Sequence, residues 1–167
     1  MNQSEVFDML FRMDADSYFM REALKEAKIA ADLGEVPIGA VLVFQDKIIS
    51  RAHNLVESLN DASAHAELLA LQQGAKALDN WRLAEATLYS TLEPCAMCAG
   101  AMMLYRVRSL VWGAPDFRHG ADGSLFNILG EKHPIHQIEV RRGVLAEECG
   151  LILKDFFKER RACAKTF

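Results

Sequence analysis

Apolar residues recur at helical spacing through Met20, Ala23, Leu24, Ala27, Ala30 and Ala31, which predicts a first amphipathic helix. Asp16 or Ser17 can cap it and Gly34 can stop it, so Gly34-Glu35-Val36-Pro37 reads as a turn. The period then changes. Residues 38–44 are a short apolar, β-branched run, Gln45-Asp46-Lys47 breaks it, and 48–53 alternate enough to return as the second strand of a hairpin. After a polar, irregular stretch over 54–63, helical spacing resumes at 64–78, with Leu68, Leu69, Leu71 and Ala75 on the buried side.

Residues 86–91 read as a buried strand, and Pro94 opens a helix running to about Leu104. A further strand covers 107–113, a polar loop 114–123, a short helix 124–129 and a last short strand 138–140. From about Leu145 to Arg161 the spacing is helical again, although Asp155 lies beside Leu151, Ile152 and Phe156 on the same face. Residues before Asp14 show weak periodicity and are expected to form a loose extension. Strands alternating with helices, two of which begin with chemically active residues, imply an α/β sandwich whose sheet ends carry the site.

Length and composition support one soluble domain. The chain has 167 residues, 51% of them hydrophobic and 25% charged, enough to bury a core without staples. It offers no apolar stretch of membrane-spanning length and no secretory signal, since Glu5, Asp8 and Arg12 interrupt the start. A cytoplasmic location is expected. Two of the four cysteines, Cys149 and Cys163, fall in one predicted helix about 21 Å apart, too far for a disulfide. A net charge of −4 provides no global attraction to nucleic acid. Basic residues do cluster at Arg106 and Arg108, at Arg141 and Arg142, and at Lys154, Lys158, Arg160, Arg161 and Lys165, where the default expectation is a solvated face.

The chemistry lies in two short motifs, His65-Ala66-Glu67 and Pro94-Cys95-Ala96-Met97-Cys98, each opening a predicted helix. His65, Cys95 and Cys98 make three zinc ligands, where a closed structural site would need four. The two-residue gap between the cysteines lets both sulfurs bind one ion at a helix N-terminus that favours thiolates. Glu67 cannot easily join them, because residues two apart diverge on a helix. It is instead suited to carry protons for a metal-activated water, as deamination of an aminopyrimidine or adenine requires. A lone Cys-x-x-Cys also serves redox pairs and zinc-stabilised binding modules; the joint appearance of the two motifs argues against the first and the free acid against the second. The combined motifs match the known signature of zinc nucleobase deaminases.

Longer stretches are more specific. Gly34-Glu35-Val36-Pro37-Ile38-Gly39-Ala40-Val41-Leu42-Val43, Ala64-His65-Ala66-Glu67, Thr91-Leu92-Glu93-Pro94-Cys95-Ala96-Met97-Cys98-Ala99-Gly100-Ala101-Met102, Gly123-Ser124, Gly143-Val144-Leu145-Ala146-Glu147-Glu148-Cys149 and Asp155-Phe156-Phe157 together resemble the bacterial tRNA-specific adenosine deaminases, the TadA family of the cytidine deaminase-like superfamily. The resemblance spans nearly all of residues 18–161. It implies a three-layer α/β/α sandwich with a central mixed β-sheet, one deaminase domain over 14–167 after a 1–13 extension, and one Zn²⁺ per chain. It also implies hydrolysis of adenosine to inosine at the wobble position of a tRNA anticodon stem-loop, by a homodimer.

By that resemblance His65, Cys95 and Cys98 are the metal ligands, Glu67 is the proton shuttle, and Asn54 reads the target purine. Asn54 alone would be a turn residue after a strand. Asp116 falls where the family meets the sugar-phosphate backbone, and it is equally a turn residue. Arg118, Phe157 and Arg160 are candidates for contacting or stacking on loop nucleotides, against core packing for Phe157 and solvation for the arginines. Asp61-Ala62-Ser63 and Phe117-Arg118-His119 depart from the usual Asp-Pro-Thr and lysine-threonine stretches. A deaminase of a free nucleobase or nucleotide, guanine or cytosine, would share the zinc chemistry and is the alternative. A loop nucleotide can be splayed into a zinc pocket for a few kcal/mol, whereas a stacked duplex adenine hides its C6.

Overall fold

A computed structural model describes residues 3–132, 134 and 136–164, with side-chain surroundings over 13–162 apart from 133 and 135. In chain order the elements are α1 (Gln3–Asp32), β1 (Gly39–Phe44), β2 (Lys47–His53), α2 (Val56–Leu59), α3 (Ala66–Ala77), β3 (Thr87–Leu92), α4 (Ala96–Tyr105), β4 (Ser109–Ala114), β5 (Glu139–Arg142) and α5 (Ala146–Ala164). The strands form one sheet in the order β2-β1-β3-β4-β5. β1 is antiparallel to β2 and to β3, while β3, β4 and β5 run parallel. The mixture follows from the connections. Gln45 and Asp46 take left-handed conformations, which suits a tight antiparallel hairpin, whereas α4 is the crossover that returns the chain parallel.

Alternation along the strands feeds two cores. Leu42, Leu88 and Leu110 point to the face covered by α3 and α4, where they meet Leu71 and Met102. Their neighbours Val41, Tyr89 and Val111 point to the face covered by α1 and α5, against Phe19, Met20 and Cys149. The result is the expected sandwich, with helices on both sides of a mixed sheet. α1 lies very close to β1: a Cβ added to Gly39 would sit 2.1 Å from the Ala23 carbonyl oxygen and 2.4 Å from the Ala27 nitrogen.

Several elements differ from expectation. α1 starts at Gln3, well before a cap at Asp16 or Ser17, so the segment ahead of Asp14 is helical from that point. Residues 124–129 form turns joined by an Asp122–Asn127 bridge and no helix. The last strand covers Glu139–Arg142, and the polar 54–63 stretch contains the short helix α2. Arg141 and Arg142 are not simply a solvated pair. Arg141 makes a two-pronged contact with buried Asp16 at 2.7 and 3.1 Å, and Asp16 also accepts from Tyr89 Oη. On the other face of β5, Arg142 grips Asp122 at 2.7 and 2.8 Å, beside the Trp112 indole N–H at 2.8 Å. Consecutive strand residues point oppositely, so the two arginines bolt an edge strand to both layers. Lys165 lies outside the described residues.

The turn between α1 and β1 is built on Glu35, whose wholly buried carboxylate accepts from Asn54 Nδ2 at 3.0 Å and from the amides of Glu57 and Ser58 at 3.3 and 2.6 Å. Burial pushes this carboxyl upward, but the donors outweigh it and hold it below the ordinary value of 4.5. Glu35→Gln turns an amide against one of those donors and is expected to cost about 1–3 kcal/mol near neutral pH. A carboxyl depressed in the folded state contributes stability that is complete above its unfolded value and lost as pH falls through the folded one. Denaturant unfolding of both proteins should therefore show the difference shrinking as pH drops below about 4.5.

Candidate functional site

His65 is the N-cap of α3 and Cys95 the N-cap of α4, both with extended backbone (φ −76°, ψ 146° and φ −73°, ψ 172°). Both helices begin at the same end of the sheet and pack on the same face. His65 Nδ1 stands 3.6 Å from each sulfur of Cys95 and Cys98, and the three ligand atoms lie within 4.8 Å of one another. A tetrahedral ion about 2.3 Å from sulfur and about 2.0–2.1 Å from nitrogen needs an N to S separation of about 3.6 Å. The spacing therefore fits a metal ion without rearrangement.

Protonation in this cluster is shared. Cys95 is pulled well below the ordinary thiol range, first by its hydrogen bond with Cys98 and also by His65, against the opposing effect of burial. Cys98 is pushed up by the same bond and by burial, and His65 is raised by its bond to Cys95. A divalent ion held here would displace the proton that Cys98 is inclined to keep.

Glu67 lies in the first turn of α3 and is buried. Its Oε2 has no hydrogen-bond partner among the described residues. Burial raises its carboxyl to about 7, despite the pull of His65. Such a group, next to three ligand atoms, can both take and give a proton near neutrality.

The remaining expected residues divide into two groups. Asn54 follows β2 and is buried, its Nδ2 committed to Glu35. The Leu55 amide bonds the Ala64 carbonyl, which draws this segment against the residue before His65. Asp116 is a turn residue in fact: its Oδ1 accepts from the amides of Arg118 and His119 at 2.9 and 3.3 Å, and Arg118 is exposed at the tip of that turn. Phe157 and Arg160 lie on α5, on the opposite face of the sheet from α3 and α4. The Phe157 ring meets Phe156 edge-on, while Arg160 lies 5.2 Å from the Phe156 ring and donates to the Gly34 carbonyl.

Sequence reasoning overlooked Glu93. This residue directly follows β3, just before Pro94 and Cys95, and its buried carboxylate accepts from the amides of Asp116 and Asp122 at 3.0 Å and of Ser124 at 3.1 Å. Burial pushes it up, but these donors hold it below the ordinary carboxylate value. The 115–124 loop is thereby laid over the strap that carries Cys95. Gly120 bridges Cys95 and Ala121 bonds the Pro94 carbonyl, and a Cβ on Gly120 would lie 2.5 Å from Glu93 Cδ. A charged residue closing a buried strand ahead of a rigid proline was the available clue.

Among the described residues no helix is long and apolar enough to cross a membrane. The family described as MafB19-like deaminase matches residues 13–161. The tRNA-specific adenosine deaminase of Bacillus subtilis is 55% identical over 149 residues, covering 89% of this chain and 92% of that protein. A chloroplastic tRNA(adenine(34)) deaminase of Arabidopsis thaliana is 52% identical over 165 residues, but this chain spans only 13% of its length. A solved structure from a study of A-to-I editing by tRNA:A34 deaminases superposes with a TM-score of 0.78 at 42% identity, covering 81% of this chain and 99% of that one. A guanine deaminase from Nitrosomonas europaea is more distant, with a TM-score of 0.69 at 25% identity over 84% of this chain and 83% of its own. With a deaminase family spanning the helices and sheet that build the site, and more than half of the aligned residues shared with a bacterial relative of nearly equal extent, the chain belongs to the tRNA-specific adenosine deaminases.

Proposed function

We propose that this protein hydrolyses adenosine to inosine at the wobble position of a tRNA anticodon, using one zinc ion held by His65, Cys95 and Cys98. The chemistry rests on Glu67 Oε2, a buried and unpartnered acceptor beside a ready-spaced His/Cys/Cys set. The choice of RNA rests on the Bacillus subtilis relative and the tRNA:A34 deaminase structure. Zinc bound here supplies a Lewis acid that makes water a competent nucleophile near neutral pH.

The chain itself handles the protons and the base. Glu67 accepts the proton of the attacking water, passes one to purine N1, and delivers another to the departing amine, so that adenine C6 exchanges ammonia for oxygen. Asn54 meets the purine edge with its Oδ1 and remaining N–H, since Glu35 fixes its other donor. Asp116 and Arg118 lie beside the sugar-phosphate backbone, and Phe157 and Arg160 meet more distant loop nucleotides. Residues 14–167 form the working domain, which acts in the cytoplasm as a homodimer.

Purified protein should carry about one zinc per chain and form inosine in an anticodon stem-loop with adenosine first in its anticodon. Chelation should abolish the activity and added zinc restore it. Faster turnover of free adenosine, cytidine or guanine would shift the assignment to a free-base deaminase.

Glu67→Gln should lower kcat by about 10²–10⁴-fold while leaving zinc content intact. Metal analysis alongside single-turnover kinetics checks this, because loss of zinc would make Glu67 a support for the ligands.

A further inference from the structure

The most exposed aromatic side chain of the described residues is not on α5. Phe117 is 76% exposed at the tip of the 115–124 loop, after half-buried Asp116 and before exposed Arg118 and His119. An isolated exposed apolar residue needs no explanation, but the backbone that carries this one is tied on both sides. Asp116 caps the turn from below through the amides of Arg118 and His119. Glu93 gathers the amides on both sides of the tip, Asp116 before it and Asp122 and Ser124 after it. Asp122 is itself clamped by Trp112 and Arg142. Glu93 is two residues from Cys95, and Gly120 bridges Cys95 directly, so the tip stands at the rim of the His65–Cys95–Cys98 cluster.

An exposed phenyl ring followed by the Arg118 guanidinium, on a tied turn beside the His65–Cys95–Cys98 cluster, has the composition of a stacking platform for single-stranded nucleic acid. We propose that Phe117 stacks on the nucleotide adjoining the reacting adenosine, and that the buried Glu93 carboxylate is the positioning residue that aims this tip. The inference rests on the RNA reading above. A base drawn into the zinc pocket leaves its neighbour unstacked, and Phe117 replaces the lost stacking partner. Arg118 attracts the adjacent phosphate, while Glu93 keeps the ring in register with the pocket by pinching the base of the loop.

Steady-state kinetics on an anticodon stem-loop test both parts. Phe117→Ala should raise KM roughly ten-fold with kcat little changed, and Phe117→Trp should restore it. The salt dependence of KM should be unaltered by Phe117→Ala and flattened by Arg118→Ala, since only the latter removes a phosphate contact. Glu93→Gln sets an amide N–H against a loop amide and should raise KM while zinc content is retained; adding Phe117→Ala in that background should then change KM by less than about two-fold. If Glu93→Gln fails to hold zinc, Glu93→Asp, which keeps the charge but withdraws the oxygens, takes its place. A KM for Phe117→Ala within about two-fold of wild type overturns the stacking contact, and fully multiplicative effects overturn the positioning role. Absence of inosine from the wild-type reaction would instead defeat the tRNA assignment itself.

Discussion

Two helix starts meet at one end of the sheet, and the rest of the site hangs on that meeting. β2 and β3 deliver the chain to the same edge, where α3 begins after His65 and α4 after Cys95. The antiparallel hairpin and the parallel crossover make this possible together. The C-terminal ends of β2, β3 and β4 then coincide with the N-terminal end of β1. Each cap residue is extended and each helix directs its positive end toward the gap. Thiolates and a buried acid can therefore be assembled there without leaving the core.

Three glutamates buried near that edge show how strictly environment sets their use. Glu35 and Glu93 are almost fully enclosed, yet each is surrounded by three donors and held in its charged form. Their task is mechanical: one fixes Asn54 and the start of α2, the other the loop over Cys95. Glu67 is as deeply buried, keeps one oxygen without a partner, and is pushed toward neutrality. A satisfied buried carboxylate rigidifies its surroundings, whereas an unsatisfied one has a proton to exchange.

Electrostatics elsewhere follow the same economy. The chain is acidic overall, and two of its basic clusters, Arg106 with Arg108 and Arg141 with Arg142, are engaged. Arg141 and Arg142 hold Asp16 and Asp122 on opposite faces of β5, Arg108 lies 3.7 Å from Glu85, and Arg106 approaches the Trp81 ring. Any attraction for a polyanion must come from the exposed remainder, Arg118 among it, close to the site where contact is needed.

The clustering of His65, Cys95 and Cys98 was legible before any fold was known, because a two-residue cysteine spacing and a histidine opening a helix constrain local geometry within one turn. Glu67 was legible for the same reason, and so were the hairpin, α3, β3, α4 and the helical part of α5. Glu35, Glu93, Asp122 and the two arginines of β5 were not, since each acts on partners well beyond one helical turn or hairpin, as Arg142 does on Asp122 (|i−j| = 20) and Arg141 on Asp16 (|i−j| = 125). Local spacing carries no information about such pairs. The 124–129 segment was misread as a helix because its amides serve Glu93 and the 120–127 turn instead of an internal ladder. Spacing along the chain could name the histidine, cysteines and acid that the fold gathers into one cluster; which loops are tied beside them depended on long-range hydrogen bonds that exist only once the strands have paired.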